Sequence, residues 1–498
     1  SQPLARAENI LKARQEWAQL EFEASMGTVH VSNGDRSTEA TFHKTLPHNE
    51  FGEVDEEAFE ALIECISLNT LEACEAVPAD VGATLANPIA ATAIDMAGPA
   101  SSALTVPPAP LLKTDDLAAQ LAEVYWMALL RDVPFSQYGV NEDTIAAADN
   151  LADMSGFDDM PGVAIDSDGR ADPQTQLFRN DAVGVTTGPF MSQLLVNNFT
   201  IDSITVDAKQ TTYKPGVDYM TSYDDWLFVQ NGGNLGPEED DDEKRFIRNA
   251  RDLSRLVATD TIYTEAFRGA LILLEQGAVS APGFNGPYAE SERQNGFVTY
   301  GVSHLMKILG SAEMSQRSSW YQKWNVHMFA RPEAVAGTLH NVLVGDLSVH
   351  FHRSIRKNTE LLDRVADRNE EMNQLPNGAG RTFMLSQAVA SGSPTHPSYP
   401  AGHAVQNGAF ATVLKAMVGL ERATDCFENP VIPDDDGLEL LPYDGECLTF
   451  EGEINKMAVN VAFGRQMCGV HYRMDSEEGL RLGEIVGVRM LQQVLHRV

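Results

Sequence analysis

The spacing of apolar residues is the feature that most limits how this chain can fold. In 117–130 (LAAQLAEVYWMALL), apolar side chains recur every three or four positions, behind an acidic first turn formed by Asp115 and Asp116. The segments 404–420 and 479–498 repeat that spacing. Because this period places apolar side chains on one face of a helix, the sequence predicts an all-α, mainly helical protein.

Strand-like alternation is confined to short stretches. Residues 203–206 and the neighbourhood of 213–219 predict a hairpin or two, and 86–110, rich in Ala, Pro and Ser, predicts a connector. We expect 1–245 to be a helical scaffold with oligomer contacts. Residues 246–498 would be a helical bundle carrying the functional site, either as a separate unit or as part of one continuous domain.

Charge and composition exclude several classes of partner. The 498 residues include 71 acidic and 36 basic side chains, which gives a formal net charge of −35. Phosphate backbones and anionic membrane surfaces bind clusters of Lys and Arg, so we expect neither nucleic acid nor a charged membrane as a partner. No uninterrupted apolar run predicts a transmembrane helix, and 43% hydrophobic residues are enough for a substantial core.

The compartment stays open at this stage. Residues 1–24 are charged throughout and predict an amphipathic helix rather than a secretory signal, although a signal could already have been removed. The five cysteines have no zinc-binding spacing. Cys65 and Cys74 would pair in an oxidising compartment and remain buried thiols otherwise. A secreted, periplasmic or cell-surface location is favoured without being fixed.

A carboxylate lies on the apolar face of one predicted helix, which runs from 252 to 275. That face includes Leu253, Leu256 and Phe267, and Asp260 falls among them. A carboxylate facing a core is costly unless it is paired. Asp260 is therefore either a local cap or a residue that orients one of the arginines described next.

Three cations stand out in the second half. Lys323 and Arg331 are eight positions apart, which puts both on one side of a helical segment that Pro332 bends or ends. Arg465 lies in a segment (FGRQMCG) with little other polarity, which disfavours a surface position. Arg offers a rigid fork of donors to a tetrahedral oxyanion and Lys a mobile point charge. By itself, a pair such as Lys323 and Arg331 is typical of a solvated face.

Two histidines accompany these cations. Gly402 and His403 stand at the start of a predicted helix, where free N–H groups attract an anion and Gly402 permits close approach. His403 could move protons there near neutral pH, and His471 lies in a loop before the final helix. Each histidine taken alone is more typical of a structural residue. Asp475 and Glu478 resemble a capping box, so we expect Asp475 to be an N-cap.

Taken in order, these blocks resemble the vanadium-dependent haloperoxidases, in the superfamily that includes type-2 phosphatidate phosphatases and bacterial class A acid phosphatases. The matching blocks are Lys323…Arg331-Pro332, Pro400-Ala401-Gly402-His403 and Arg465…His471…Asp475. The longer wordings THPSYP-x-GHA and KWxVHxFARPEA are similar to the red-algal and cyanobacterial bromoperoxidase branch. The resemblance extends over most of the second half of the chain.

The resemblance implies a vanadate cofactor bonded to the protein through His471. Lys323, Arg331, Arg465 and the backbone N–H of Gly402 would hydrogen-bond the vanadate oxygens. It also implies a fold of two four-helix bundles with a few short strands and a large homo-oligomeric assembly. Calcium is a further possibility, to which an acidic loop at 290–292 could contribute.

The implied reaction is oxidation of a halide by hydrogen peroxide to hypohalous acid, which halogenates an organic acceptor. His403 would take a proton from the incoming peroxide, and Lys323 would polarise the peroxide for halide attack. His396, seven residues before His403, matches the bromoperoxidase branch and is counted with the catalytic residues. Trp320, three before Lys323, matches the chloroperoxidase branch. Bromide or iodide is therefore expected, with chloride open.

Ala401 departs from the family pattern, because it stands where the family has Ser. One hydrogen bond to a vanadate oxygen is then missing, so we expect weaker binding or altered reactivity. Two other functions stay open. An acid phosphatase on the same framework would use His471 as its nucleophile and hydrolyse phosphate esters without vanadate. A non-catalytic acidic assembly protein would keep only remnants of the pocket.

Overall fold

The computed structural model describes residue 12 and residues 38–79, 83–92, 98–201, 203–278, 288, 291–374, 380–419 and 422–495. Helices dominate this part of the chain, as the apolar spacing predicts. The first half contains α1 (Glu56–Leu68), α2 (Leu71–Glu75), α3 (Asp115–Leu129), α4 (Glu142–Ala152), α5 (Gln193–Val196) and α6 (Tyr223–Gln230).

The second half begins with α7 (Ala250–Thr259), α8 (Thr264–Glu275), α9 (Val302–Ser311) and α10 (Ser315–Tyr321), which continues as a π-helical segment, Gln322–His327. It goes on with α11 (Pro332–Val344), α12 (Arg353–Arg356), α13 (Thr359–Asn373), α14 (Gly402–Val418), α15 (Phe450–Met467) and α16 (Arg473–Leu495). Short 3-10 turns lie at Thr38–Ala40, Pro88–Thr92, Ser101–Ala103, Phe135–Gln137 and Ala312–Met314.

Local sequence signals set the ends of the long helices. The side chains of Thr114, Asn249 and Thr449 each accept a hydrogen bond from the backbone N–H three residues on, which caps α3, α7 and α15. Gly345 ends α11 in the left-handed region at φ 95°. These are the ordinary start and stop residues of helices, so the predicted segments and the observed helices agree closely.

The packing around α14 fixes the position of its N-terminus. α14 lies along α16 and α15, and α15 packs on α7. A Cβ added to Gly483 of α16 would lie 1.9 Å from the carbonyl oxygen of Val405. One added to Gly408 would lie 2.2 Å from the carbonyl oxygen of Leu480. Glycine at both positions therefore lets the two helices approach closely enough to hold α14 rigidly.

The two halves share one hydrophobic core. It includes Leu121 and Trp126 of α3 together with Phe410 of α14. An ion pair joins the same halves, since Arg473 Nη2 of α16 lies 2.5 Å from Glu123 Oε1 of α3, with both side chains buried. A division into two units at residue 245 stays a prediction.

Strands are short, as expected. β1 (Phe199–Ile201) pairs antiparallel with β2 (Ile204–Val206), with Thr200 opposite Thr205, and this is the hairpin predicted at 203–206. β3 (Val431–Pro433) pairs with β4 (Leu440–Pro442). The strand prediction near 213–219 was wrong. Tyr213 and Tyr219 make only isolated bridges to distant parts of the chain.

Two helix predictions also need correction. The predicted helix over 252–275 is interrupted, because α7 ends at Thr259 and α8 begins at Thr264, with Ile262 in the left-handed region at φ 58°. Pro332 does not end the segment that precedes it. It begins α11, where a missing N–H costs nothing.

The cysteines decide an alternative that the sequence left open. Cys65 and Cys74 form a disulfide, as do Cys426 and Cys447, while Cys468 is a buried free thiol. The amphipathic helix predicted for 1–24 lies outside the described residues apart from residue 12. Among the helices that the structure describes, none has the length and apolar character needed to cross a bilayer.

Candidate active site

Four separate segments converge at the N-terminal end of α14. They are the π-helical segment with Lys323, the start of α11 with Arg331, the loop 391–401, and the turn between α15 and α16 with Arg465 and His471. Met328, at φ 44°, ends the π-helical segment in the left-handed region, so the chain turns sharply between the two cations. Both therefore enter the same buried region although they lie on different elements.

Arg331 is the hub of the cluster. Its Nη1 lies 2.9 Å from His471 Nε2 and donates to the Val470 carbonyl at 2.9 Å. Its Nε donates to the His396 carbonyl at 2.9 Å, and its Nη2 lies 3.1 Å from His396 Nδ1. The guanidinium is 1% exposed, so backbone carbonyls and neutral rings, rather than water, surround its charge.

Lys323 and Arg465 point into the same region. Lys323 Nζ donates to the carbonyls of Pro397 and Ser398 at 2.8 and 2.5 Å, and the residue is fully buried. Arg465, in the last turn of α15, donates to the Val257 carbonyl at 2.7 Å. The Nε of Arg465 is buried and has no hydrogen-bond partner among the described residues. An unpaired buried donor is costly, which indicates a ligand that accepts from it.

The pKa shifts show that the positive charges are not balanced. Burial lowers the pKa of Lys323 well below its ordinary value, and the charges of Arg331 and Arg465 lower it further. Burial, together with Arg465, lowers the pKa of Arg331 to about 9 even though Asp475 opposes the shift. Asp475 is the carboxylate that opposes the pKa shifts of both Lys323 and Arg331, and one carboxylate does not balance three cations.

His471 is held with one nitrogen occupied. Its Nδ1 lies 2.7 Å from Asp475 Oδ2, which also accepts from the Ser398 hydroxyl and from the Tyr472 N–H. This contact places the ring proton on Nδ1 and leaves the lone pair on Nε2, the nitrogen that faces Arg331. Burial, followed by the charges of Arg331 and Lys323, lowers the pKa of His471 well below its ordinary value. The imidazole is therefore neutral and able to bind a metal.

The expectation that Asp475 is an N-cap was wrong. Asp475 lies within the first turn of α16 and faces His471 one turn earlier. The four-residue spacing of His471 and Asp475 was visible in the sequence, but the nearby Glu478 suggested a capping box instead. Ser398 was missed as well, although it lies in the HPSYP wording that carried the resemblance.

The N-terminus of α14 presents backbone donors to the same region. Gly402 is the first residue of the helix, and Ala401 precedes it as an N-cap without a side-chain hydrogen bond. A Cβ on Gly402 would meet the Trp320 ring at 3.1 Å. Glycine therefore keeps this side of the helix start open beside the indole.

His403 interacts with a carboxylate rather than with an arginine. Its Nε2 lies 3.0 Å from Asp260 Oδ1, in the break between α7 and α8. The expectation that Asp260 orients a site arginine was wrong, because the helix break turns Asp260 toward α14. Burial lowers the pKa of His403, against an opposing contribution from Asp260. His403 is therefore a neutral base backed by a carboxylate.

His396 and Trp320 form one wall of the region. Their rings are 4.7 Å apart, and Lys323 Nζ lies 6.0 Å from the centre of the indole. Burial, followed by the charges of Arg331 and Lys323, lowers the pKa of His396 well below its ordinary value.

The donor set fits a tetrahedral oxyanion. It offers three cations with an unpaired N–H among them, backbone donors at a helix start, and one imidazole with a free lone pair. Such groups match vanadate or phosphate in shape and charge. Within the described ranges, no group of three or more His, Cys, Asp or Glu residues is arranged to hold a bare metal ion. The calcium expectation stays a prediction, and residue 290 lies outside the described residues.

Comparison with known proteins places the chain in a family. Residues 348–498 match the model of the VCPO second helical-bundle domain. The chain is 56% identical to a vanadium-dependent bromoperoxidase of Ascophyllum nodosum, over 99% of this chain and 89% of that protein. It is 30% identical to one of Corallina officinalis, over 93% and 88%.

A solved structure agrees with these relatives. The homohexameric second vanadate-dependent bromoperoxidase of Ascophyllum nodosum matches with a TM-score of 0.88 and 40% identity, over 99% of this chain and 85% of that one. The mainly helical architecture is thus the one predicted for the chain. This protein therefore belongs to the vanadium-dependent bromoperoxidases, within the vanadium-dependent haloperoxidase family.

Proposed function

We propose that this protein oxidises bromide with hydrogen peroxide to hypobromous acid, using bound vanadate, and so halogenates organic acceptors. The observation that carries the proposal is the buried cluster of Lys323, Arg331 and Arg465, whose charge the neighbouring carboxylate does not balance. A buried excess of positive charge is destabilising until an anion enters. The relatives, which are named vanadium-dependent bromoperoxidases, support vanadate as that anion.

Different residues would bind the metal and the oxygens of the anion. His471 Nε2 would supply the bond to vanadium, because Asp475 holds Nδ1 and keeps the tautomer fixed. Arg331, Lys323 and Arg465 would donate to the oxygens, together with the Gly402 N–H at the start of α14. When bound, vanadate supplies a Lewis acid that activates peroxide without a change of metal oxidation state.

His403 would manage the protons. The reaction of hydrogen peroxide with bromide and one proton gives hypobromous acid and water, so protons must leave the peroxide and return to an oxygen. His403 is neutral, partly buried and backed by Asp260, and it can therefore accept a proton at Nδ1 while Nε2 remains hydrogen-bonded to the carboxylate. His396 and Trp320 would border the approach of the halide. His396 supports bromide or iodide, whereas Trp320 leaves chloride open.

The proposal extends to a homo-oligomeric assembly, an oxidising compartment and a calcium requirement. The bromoperoxidase with a TM-score of 0.88 is a homohexamer, which supports a homo-oligomer here; light scattering coupled to gel filtration measures its size. Two disulfides support an oxidising compartment. Calcium dependence is tested by thermal unfolding with and without a chelator.

One assay tests the main proposal. Halogenation of a phenolic indicator with bromide and hydrogen peroxide is measured in the metal-free protein, before and after vanadate is added. We expect activity only with vanadate, and phosphate in excess should compete with it. Hydrolysis of a phosphate ester by the metal-free protein, with no bromination after vanadate addition, would favour the acid phosphatase with His471 as nucleophile.

A further inference from the structure

A second carboxyl group lies behind the one that contacts His403. Asp260 is the C-cap of α7 and Glu265 lies in the first turn of α8, five residues later across the short break between the helices, where the charge of Asp260 acts on Glu265. The side chain of Asp260 is 2% exposed and Glu265 is 4% exposed. Asp260 Oδ1 bonds His403, but Asp260 Oδ2 and Glu265 Oε2 have no donor among the described residues.

One proton shared between the two carboxyl groups would satisfy both oxygens that lack a donor. Two buried carboxylates cannot both ionise at close range, but a protonated one donates to the other and satisfies both free oxygens. Burial, followed by the charge of Asp260, raises the pKa of Glu265 to about 8. A proton on Glu265 at neutral pH would let it donate to Asp260.

Other charged groups around the pair do not supply this donor. Arg268, one turn after Glu265, donates to the Asn197 carbonyl at 2.8 Å, and burial lowers its own pKa to about 10. Other titratable or charged groups on the surrounding elements include Tyr263 in the break itself, His403 on α14, Arg465 and Cys468 at the end of α15, Asp207 after β2, and His304 and Lys307 on α9. Of these, only His403 hydrogen-bonds Asp260.

We infer that Glu265 is a positioning residue for His403: as a neutral acid it fixes the Asp260 carboxylate and keeps a single negative charge behind the imidazole. The inference deepens the proposed function, because it rests on His403 as the proton acceptor. With a single negative charge on the Asp260–Glu265 pair, Asp260 fixes the orientation of His403 and raises the proton affinity of His403 only moderately. A second charge would strengthen the hold on that proton and slow its return.

The sign of the pH dependence follows from this arrangement. Glu265 is neutral below its raised pKa and ionised above it, so the single-charge state is lost as the pH rises through about 8. Ionised Glu265 no longer donates to Asp260, so His403 is less firmly oriented, and the kcat/KM for hydrogen peroxide is expected to fall on the alkaline side with an ionisation near that pH. Glu265→Gln keeps a donor toward Asp260 but cannot ionise, so this ionisation should disappear.

Infrared spectroscopy tests the pair without vanadate or activity. In difference spectra of the metal-free protein between pH 7 and 9, a protonated carboxyl C=O band is expected to vanish as Glu265 ionises. The band should be missing in Glu265→Gln and unchanged in Glu275→Gln, an exposed glutamate on the same helix. A band that persists in full in Glu265→Gln overturns the inference, whatever the enzyme assay shows.

Kinetics of the vanadate-loaded enzyme separate positioning from general stability. Glu265→Leu removes the donor and is expected to lower kcat/KM for peroxide about tenfold, since a hydrogen bond to a charged group is lost, with vanadate affinity retained. Glu265→Gln should lose less activity and also lose the alkaline ionisation. If both variants keep the wild-type pH profile, Glu265 has only a structural role. Inactive wild-type protein with the expected infrared band would refute the proposed function instead.

Discussion

Two buried arginine clusters in this molecule differ in whether carboxylates pair with their arginines. In the structural cluster, Arg251 forms ion pairs with both Asp132 and Asp218, and Arg131 pairs with Asp218 as well. In the active-site cluster, Arg331 contacts backbone carbonyls and two imidazoles instead of a carboxylate. Arg251 and Arg331 are equally buried, so exposure does not explain the difference between their partners.

The pKa values of Arg251 and Arg331 shift in opposite directions, while burial lowers the pKa of Arg131 despite its pairing with Asp218. Burial alone would lower the pKa of Arg251, but Asp218 and Asp132 outweigh it and raise the value. Burial lowers the pKa of Arg331 to about 9, and Arg465 adds to the shift. The structural cluster is balanced in charge and stabilises the fold. The active-site cluster is unbalanced, and a bound anion can neutralise its positive charge. The comparison yields four tests.

The largest effect is expected at His471, the one neutral ligand in the unbalanced cluster. His471→Ala removes the bond to vanadium and should weaken vanadate binding at least about 100-fold, which exceeds typical losses for residues that only orient a ligand. Equilibrium dialysis with vanadate measures this, and circular dichroism checks the fold. Near-wild-type affinity would mean that the anion is held elsewhere.

A stability effect is expected in the balanced cluster. Arg251→Ala leaves the buried side chain of Asp218 with fewer partners and removes a partner of the partly exposed Asp132, so the free energy of unfolding should fall by about 3 kcal/mol. Chemical denaturation of the metal-free protein measures it. Vanadate affinity of the folded fraction should stay unchanged, and a selective loss of that affinity would contradict the separation of the two clusters.

Lys323→Met reverses that pattern. The loss of one charged donor is expected to lower vanadate affinity roughly 10- to 100-fold. The free energy of unfolding of the metal-free protein should change by less than about 1 kcal/mol, because an unfavourable buried charge is removed along with its hydrogen bonds. Lys357→Met, at an exposed lysine, is the matched control. A strong loss of stability would show that Lys323 is structural.

The smallest effect is a gain at Ala401. A serine hydroxyl there could cap α14 and donate to a vanadate oxygen, so Ala401→Ser should tighten vanadate binding by up to about tenfold and stabilise the protein by about 1 kcal/mol. Ala401→Gly lacks the hydroxyl but is nearly as good an N-cap, and it separates the two contributions. Equal affinity in all three proteins would show that the missing serine is irrelevant.

The sequence predicted the positions of the helices better than the roles of the residues at helix ends. The apolar spacing located α3, α14 and α16, because helix period and capping residues are local properties. Asp260 and Asp475 were misjudged, since both lie where a helix begins or ends. At such positions, a carboxylate that caps a helix and one that orients a histidine have the same sequence pattern.

The sequence by itself determined the helical character, the family and the ordered set of Lys323, Arg331, Gly402, Arg465 and His471. These follow from local periodicity and from motifs whose order survives in the chain. The tertiary structure decided which residues pair: Asp475 with His471, Asp260 with His403, and, in the part of the chain that the structure describes, too little carboxylate charge for the three cations. Charge balance depends on distances between segments far apart in the chain, and only folding sets those distances.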